Sequence, residues 1–205
     1  MNALILVDIQ NDFVPGGRLA VPDGDAIIPI ANSLQASFGL VVATQDWHPP
    51  AHKSFASNHE GKKPFEHIDL HGLDQVLWPD HCVQGSSGAE FHPALEMRRV
   101  EAIFRKGMDT EIDSYSGFYD NGARKSTGLA GFLRDRKVRK VFVCGLAADY
   151  CVAFTAKDAL RENFDTFVVA DATRPIDATG FERMADELMG MGGQIIQSSQ
   201  LYRHL

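Results

Sequence analysis

Residues 141–151 carry the chain from a strand through a tight turn into a helix: Val141-Phe142-Val143-Cys144-Gly145-Leu146-Ala147-Ala148-Asp149-Tyr150-Cys151. The first half is apolar and rich in β-branched residues, and an amphipathic pattern begins at Cys151. Unpaired amide N–H groups and the positive end of the helix dipole favour a thiolate there. The sequence therefore predicts a lowered pKa and a nucleophilic role for Cys151. The alternative is a buried cysteine that packs as a small apolar side chain.

The same alternation of strand and helix extends along the rest of the chain. Short apolar runs predict strands, buried on both faces, at residues 3–8, 40–45, 101–105, 139–144, 166–170 and 194–197. Helical periodicity predicts helices at 25–37, 88–97, 127–136, 150–162 and 177–191, with a weaker helical signal at 71–77. The predicted fold class is α/β, a three-layer αβα arrangement with a doubly wound, mainly parallel six-stranded sheet.

Residues 46–87 interrupt this alternation. They are rich in Pro, His, Gly and Ser and show little periodicity, which predicts a functional loop. A chain of 205 residues with 44% hydrophobic composition can build one substantial core, so we expect a single domain over residues 1–205.

Composition argues against several partners and locations. The chain has 27 acidic and 20 basic residues, a net charge of −7 and no basic cluster, so nucleic acid is not an expected partner. Its cysteines, at positions 82, 144 and 151, form neither a disulfide framework nor a CxxC metal motif, which favours a reducing cytoplasm. The apolar run at the start of the chain is too short for a signal or membrane segment. We expect a cytoplasmic protein without a membrane partner.

Reactive side chains lie at or just past the predicted strand ends, where open parallel sheets bind ligands. Asp8 is placed to take the thiol proton of Cys151 and to return it to a leaving amine. The ammonium of Lys106 would favour the ionised forms of both groups. Each residue alone also fits an ordinary role, a turn-stabilising aspartate or a solvated lysine. Asp12 is a weaker substitute for Asp8, and Arg105 alternates to the opposite face.

A second group of residues has the chemistry of metal ligands: Asp46, His48, His52 and the distant His81. Residues i and i+2 of an extended segment project to one side, so Asp46 and His48 can bind one ion, and a proline bend brings His52 toward it. One carboxylate and three imidazoles suit zinc, iron or manganese better than calcium. Spacing alone fits surface histidines equally well, and the same loop also contains His59, His67 and His71.

Several motifs follow one another along the chain: Val7-Asp8-Ile9-Gln10-Asn11-Asp12-Phe13, Gly16-Gly17-Arg18-Leu19-Ala20-Val21, Thr44-Gln45-Asp46-Trp47-His48, Trp78-Pro79-Asp80-His81-Cys82-Val83, Phe104-Arg105-Lys106-Gly107, Asp113-Ser114-Tyr115-Ser116-Gly117-Phe118 and Gly145-Leu146-Ala147-Ala148-Asp149-Tyr150-Cys151-Val152. Together they resemble the nicotinamidase/pyrazinamidase branch of the isochorismatase-like cysteine hydrolases. The resemblance covers nearly the whole chain, and motifs in this order are far more specific than any one of them.

The resemblance implies the isochorismatase-like hydrolase fold and an Asp-Lys-Cys triad at Asp8, Lys106 and Cys151. It implies one divalent ion, with Zn²⁺ as the first expectation and Fe²⁺ or Mn²⁺ as alternatives. The implied metal ligands are Asp46, His48, His52 and His81.

The resemblance also implies a cis peptide bond between Leu146 and Ala147 and an oxyanion hole formed by the N–H groups of Ala147 and Cys151. Ala148 stands where many relatives carry threonine, a departure that leaves the proposed catalytic groups intact. The implied pocket for a flat ring consists of Phe13, Leu19, Trp78 and Tyr115. For Leu19, ordinary core packing is the preferred interpretation.

The activity that the resemblance implies is hydrolysis of nicotinamide to nicotinate and ammonia through a Cys151 thioester, a step of NAD salvage. The ion would hold the pyridine nitrogen. Three alternatives remain. A metal-free amidase of the superfamily would not require the candidate ligands Asp46, His48, His52 and His81. A vinyl-ether hydrolase would not require the nucleophile Cys151. A flavodoxin-like binding module does not explain the ionisable groups at strand ends, and the chain has no Gly-rich phosphate loop. The sequence leaves open the native metal, the preference between nicotinamide and pyrazinamide, and any homo-oligomeric assembly.

Overall fold

One parallel sheet of six strands organises the fold. The computed structural model describes residues 1–205. Strands β1 (Asn2–Val7), β2 (Leu40–Asp46), β5 (Val100–Lys106), β6 (Lys140–Leu146), β7 (Asp165–Arg174) and β8 (Gln194–Ile196) lie in the spatial order β5-β2-β1-β6-β7-β8. Strands β3 (His67–Leu70) and β4 (Leu73–Val76) form a separate antiparallel hairpin. The six predicted strands of the sheet and the predicted fold class are confirmed.

Helices cover both faces of the sheet because alternate residues of its central strands are apolar on both sides. Leu4 and Leu6 of β1 belong to one buried cluster, and Ile5 and Val7 belong to the other. Helix α1 (Ile28–Leu34) packs on the first cluster. The second receives α2 (Leu129–Asp135), α3 (Ala153–Arg161) and α4 (Ala178–Gly190). None of these helices combines the length and the apolar composition that crossing a membrane requires.

The strand order creates a crevice at the carboxyl ends of the strands. Central strand β1 pairs with β2 on one side and with β6 on the other, so the chain winds in opposite directions from this point. Doubly wound sheets bind ligands at such a switch point. Asp8 directly follows β1, and Cys151 follows β6 after a short turn. The last residues of β2 and β5, Asp46 and Lys106, are paired in register beside them.

The helical signal at 71–77 is wrong, because this segment contains the turn and second strand of the β3–β4 hairpin. His71 and Gly72 have positive φ angles of 56° and 82°. A two-residue turn with both residues in the left-handed region is the preferred connection of a tight hairpin.

The helix expected at 88–97 is also wrong. Only Ser87–Ala89 forms a single 3₁₀ turn. Beyond it, the chain bonds to the segment after β1 instead of to itself: Asn11 N–H donates to Glu90 O at 3.0 Å, and His92 N–H donates to Ile9 O at 3.0 Å. Pro93 also disfavours a helix over these residues, since it lacks the N–H that a helix interior needs.

The remaining differences are smaller. The expectation that all strands are buried on both faces fails for the two edge strands: Glu101, Ile103 and Arg105 of β5 and Gln194 of β8 are exposed. The helix expected at 25–37 is helical but consists of α1 flanked by two short 3₁₀ turns. The predicted helices at 127–136, 150–162 and 177–191 correspond to α2, α3 and α4.

Candidate active site and metal centre

The side chains of Asp8, Lys106 and Cys151 meet in the crevice, although almost 100 residues separate the first two along the chain. Lys106 Nζ lies 2.9 Å from Asp8 Oδ2 and 3.4 Å from Cys151 Sγ. Asp8 reaches this position with a positive φ of 47°, a conformation that non-glycine residues rarely adopt and that is common at functional sites. All three residues are buried.

Lys106 is the centre of this arrangement. Its ammonium also donates to Asp46 Oδ1 at 2.6 Å and to the carbonyl oxygen of Ser114 at 2.9 Å, and the side chain is 0% exposed. Burial alone would lower the pKa of Lys106, but the carboxylates of Asp46 and Asp8 outweigh it and hold this pKa well above its usual range. The lysine is therefore a fixed cation between two anions. The Ser114 contact uses backbone, and no side-chain pattern in the sequence indicated it.

Asp8 has a second partner that the sequence analysis missed. Thr44 Oγ1 donates a hydrogen bond of 2.6 Å to Asp8 Oδ1. Burial raises the pKa of Asp8 above its usual value, and Lys106 and Thr44 act in the opposite direction. Thr44 lies beside Val7 in the β1–β2 register and two residues before Asp46, so alternation along β2 was the signal that it faces the same crevice.

The lowered pKa expected for Cys151 is wrong for this state of the protein. Burial raises the pKa of the Cys151 thiol well above its usual value, and Asp8 and Asp46 raise it further, while Lys106 offsets only part of this. Cys151 also lies in a π-helical turn, Ala148–Val152, rather than in the first turn of α3. The thiol is therefore protonated at rest, and its activation requires a base next to it.

The turn before Cys151 brings backbone close to the sulfur. Gly145 has a φ of 124°, and a Cβ at this position would lie 2.0 Å from the carbonyl oxygen of Val7 on the neighbouring strand. The peptide bond between Leu146 and Ala147 is cis, as the resemblance implied. The N–H of Ala147 donates no hydrogen bond within the protein, and Ala147 and Cys151 line the same pocket. This leaves an N–H donor without a partner beside the thiol.

Asp46, His48 and His81 bring three acceptor atoms together. Asp46 Oδ2 lies 3.2 Å from His48 Nε2 and 3.5 Å from His81 Nε2. The other ring nitrogens lie within hydrogen-bond distance of backbone carbonyls, His48 Nδ1 at 3.0 Å from Gly107 O and His81 Nδ1 at 2.8 Å from Pro79 O. When Nδ1 of each ring donates, the Nε2 lone pairs and the carboxylate face one another. A cation between these three electron-pair donors would bind all of them. Metal-binding histidines usually donate their other ring N–H to a carbonyl or carboxylate, as the Nδ1 atoms can here.

His52 joins this cluster through His48. The turn that follows Pro49 brings it there, with His52 N–H donating to Pro49 O at 2.9 Å. His52 Nδ1 lies 2.7 Å from Ser54 Oγ, and its buried Nε2 has no hydrogen-bond partner. Burial lowers the pKa of His52 to about 4, so the ring is neutral and its lone pair is free for a metal. The residues present thus fit a divalent ion.

The atoms that could bind a metal form two groups that share His48. Atoms of Asp46, His48 and His81 lie within 4.8 Å of one another, and so do atoms of His48, His52 and Asp113. The sequence analysis did not single out Asp113, although it lies in a quoted motif. The other histidines of the loop have different contacts: His59 with Lys53 O, His67 with Asp74 and His71 with Glu111.

Asp12 does not serve as a substitute base. Its Oδ2 accepts a hydrogen bond of 2.7 Å from the N–H of Cys82, and its Oδ1 accepts one of 3.2 Å from the N–H of Arg18. The carboxylate is therefore occupied in joining two loops. Arg105 stacks on Trp47 at 3.9 Å and points away from the triad, as expected from its position in β5.

A mainly apolar pocket opens onto Cys151. Its wall contains every residue of the implied ring pocket, together with metal-cluster residues and the cysteine: Phe13, Leu19, Asp46, Trp78, His81, Asp113, Tyr115, Ala147, Tyr150, Cys151 and Ile176. Trp78 and Tyr150 meet edge to face at 4.9 Å, and Trp78 Nε1 donates to Tyr115 Oη at 3.2 Å. Tyr150 and Ile176 were missed, although Tyr150 directly precedes the cysteine.

Comparison with known proteins agrees with this geometry. Residues 2–200 match the family model of the isochorismatase domain. A nicotinamidase of Acinetobacter baylyi is 49% identical over 200 residues, which cover 97% of this chain and 94% of the relative. The chain belongs to the nicotinamidase branch of the isochorismatase family.

Two solved structures of this branch are close in shape. The yeast nicotinamidase bound to the inhibitor nicotinaldehyde has a TM-score of 0.91 and 32% identity, covering 96% of this chain and 100% of that one. A pyrazinamidase of Pyrococcus horikoshii in complex with zinc has a TM-score of 0.79 and 38% identity, covering 96% and 98%.

Proposed function

We propose that this enzyme is an amidohydrolase that converts nicotinamide to nicotinate and ammonia, and so returns nicotinamide to NAD synthesis. The observation that carries the proposal is the contact of one buried ammonium with both a carboxylate and a thiol, 2.9 Å from Asp8 Oδ2 and 3.4 Å from Cys151 Sγ. The nicotinamidases among its relatives support the choice of substrate. Pyrazinamide is a second substrate, supported by the aromatic side chains of the pocket wall and by the pyrazinamidase relative.

In the first half of the reaction, Asp8 takes the proton of Cys151 and the thiolate attacks the carboxamide carbon. Because burial raises the pKa of the thiol, this transfer needs a carboxylate in contact with it and a cation that stabilises the new anion, the roles of Asp8 and Lys106. The N–H groups of Ala147 and Cys151 stabilise the oxyanion of the tetrahedral intermediate. Asp8 then returns the proton, the carbon–nitrogen bond breaks, and ammonia leaves.

In the second half, Asp8 takes a proton from water, and the resulting hydroxide attacks the thioester carbon. The carbon–sulfur bond breaks, the proton returns to Cys151, and nicotinic acid leaves and ionises to nicotinate by losing its own proton to solvent. The ring stays between aromatic walls during both halves. Phe13, Trp78 and Tyr115 supply this contact, and Leu19 adds apolar surface.

We propose that one divalent ion, Zn²⁺ or alternatively Fe²⁺ or Mn²⁺, is held by Asp46, His48, His52 and His81. The partnerless His52 Nε2 and the facing acceptors of the other three support this assignment, and a relative is known in complex with zinc. When bound, the ion supplies an attachment point for the pyridine nitrogen, which fixes the distance from the ring to the carboxamide.

We further propose that residues 1–205 form one domain in which 46–87 is the metal-binding loop region, and that the enzyme works in the cytoplasm. One continuous sheet supports the first proposal. Three unpaired cysteines support the second, since such thiols stay reduced there.

The test is ammonia release from nicotinamide by the intact protein, by Cys151→Ala and by Cys144→Ala as a control. Cys144 is equally buried but belongs to the other apolar cluster, on the opposite face of the sheet. We expect no turnover from the Cys151 variant with its fold retained by circular dichroism, and turnover by the control. Near-normal turnover by Cys151→Ala would exclude covalent catalysis at this residue.

Chelation followed by metal add-back tests the metal assignment separately. We expect chelation to impair turnover and Zn²⁺ to restore it. Turnover that is indifferent to chelation would refute the metal centre and leave the triad unaffected.

A further inference from the structure

Asp113 is a buried carboxylate that the proposed mechanism does not use. It is 3% exposed and lines the wall of the substrate pocket. One of its oxygens and ring nitrogens of His48 and His52 lie within 4.8 Å of one another. His52, whose buried Nε2 has no hydrogen-bond partner, is thus a neighbour of Asp113.

Two hydrogen bonds hold the carboxylate of Asp113 in place. Its Oδ1 accepts from the N–H of Ser114 at 2.7 Å, and its Oδ2 accepts from Gln75 Nε2 at 3.1 Å. Gln75 also donates to Tyr115 Oη at 3.1 Å, which ties the carboxylate to the aromatic wall. No lysine or arginine forms an ion pair with Asp113, whereas Asp8 and Asp46, the other carboxylates of the crevice, both contact Lys106.

Carboxylic side chains outnumber ammonium groups in this crevice. Asp8, Asp46 and Asp113 are all buried, and Lys106 contacts the first two. Asp113 has His48 and His52 as its nearest candidate ligand partners instead. A divalent ion at this point would meet a carboxylate oxygen and two imidazoles.

We propose that Asp113 is a second carboxylate of the metal centre, which it completes on the side of His48 and His52. The inference rests on the proposed metal centre and extends it to a residue outside the Asp/His/His/His set. Because both oxygens of Asp113 already accept N–H bonds, it acts mainly by charge and by contact with the hydration of the ion. Removal of such a partner weakens metal binding about 10- to 100-fold, less than removal of a direct ligand.

The test is a Zn²⁺ titration of the metal-free protein, in competition with a chromophoric chelator, for the native chain and Asp113→Asn. Asp149→Asn is the matched control, because Asp149 is a buried carboxylate that accepts two backbone N–H bonds, from Ile176 at 2.9 Å and Asp177 at 2.8 Å. We expect the Asp113 variant to bind Zn²⁺ about 10- to 100-fold more weakly and the Asp149 variant to bind it as the native chain does.

A second measurement separates loss of affinity from loss of fold. Zn²⁺ raises the unfolding temperature of a protein that binds it in the folded state, by an amount set by its affinity. We expect this rise to shrink in Asp113→Asn and to persist in Asp149→Asn. If Asp113→Asn does not fold, Asp113→Glu takes its place, and its displaced carboxylate should also weaken binding.

Three outcomes of the titration are distinguishable. Weaker binding by the Asp113 variants alone supports the inference. Native-like Zn²⁺ affinity in those variants, or an equal loss in Asp149→Asn, overturns it and leaves the proposed metal centre in place. A native chain that does not bind Zn²⁺ overturns both.

Discussion

Thr44→Val tests whether Asp8 is the base. The substitution removes one hydrogen bond to the buried carboxylate of Asp8 and leaves the side chains of Lys106 and Cys151 unchanged. Valine keeps the shape of threonine but cannot donate the 2.6 Å hydrogen bond to Asp8 Oδ1. That bond lowers the pKa of Asp8 against the effect of burial. Its loss must raise the pKa of Asp8 further.

The size of the effect follows from the charge of the acceptor. A hydrogen bond to an ionised group contributes about 1.5–3 kcal/mol. One pKa unit corresponds to about 1.4 kcal/mol, so the pKa of Asp8 should rise by about one to two units. The free energy of unfolding at neutral pH should fall by a similar amount. The full loss is expected at pH values above the pKa of Asp8 in the folded variant, where Asp8 is ionised. It becomes smaller as the pH falls through this pKa, because the missing hydrogen bond stabilises the ionised form more than the protonated form.

The assay is the pH dependence of kcat/KM for nicotinamide, whose acid limb reports ionisation of the base in the free enzyme. We expect Thr44→Val to move that limb to higher pH by about one to two units. Thr166→Val is the control, since Thr166 Oγ1 donates to Phe164 O at 2.9 Å in a buried site away from the crevice. An acid limb that does not move, or that moves equally in the control, would refute the role of Asp8.

Two further substitutions probe the lysine and the histidine cluster. Lys106→Met leaves two buried carboxylates without their cation and should lower the free energy of unfolding by about 3–5 kcal/mol in urea titrations; a loss below about 1 kcal/mol would contradict the ion-pair geometry. Gly107→Ala places a Cβ 2.3 Å from His48 Cε1 and should weaken Zn²⁺ binding, measured by competition titration. Gly128→Ala, which has a similar positive φ of 92° but open space around it, should leave Zn²⁺ binding unchanged, and equal losses in both would assign the effect to backbone strain alone.

The central strands could be predicted because burial on both faces requires nearly every residue of a strand to be apolar. Strands β1 and β6 are packed on both faces and read as unbroken apolar runs, and their carboxyl ends then fixed where Asp8 and Cys151 would meet. Edge strand β5 shows the limit of this signal, since Ile103 is apolar and yet exposed there, beside the charged Glu101 and Arg105.

The errors arose where long-range contacts override local periodicity. The segment after Ser87–Ala89 carries a helix-like pattern but bonds to the chain that follows β1. The pKa of Cys151 was predicted from its helix and from Lys106, whereas burial and the carboxylates of Asp8 and Asp46 outweigh the lysine. Thr44 and Asp113 were missed because each acts on a residue that is distant in sequence.

Lys106 belongs to the outermost strand of the sheet, and this position has a consequence for how the enzyme fails. β5 is bonded to one neighbour, and its outer face meets solvent. Strands at such margins open locally at a smaller free-energy cost than strands paired on both sides. We expect warming to open this margin first and to withdraw the ammonium from the crevice while the central strands are still intact. Loss of activity would then precede global unfolding, and substitutions that stabilise β5 would extend the lifetime of the catalyst more than those in the middle of the sheet.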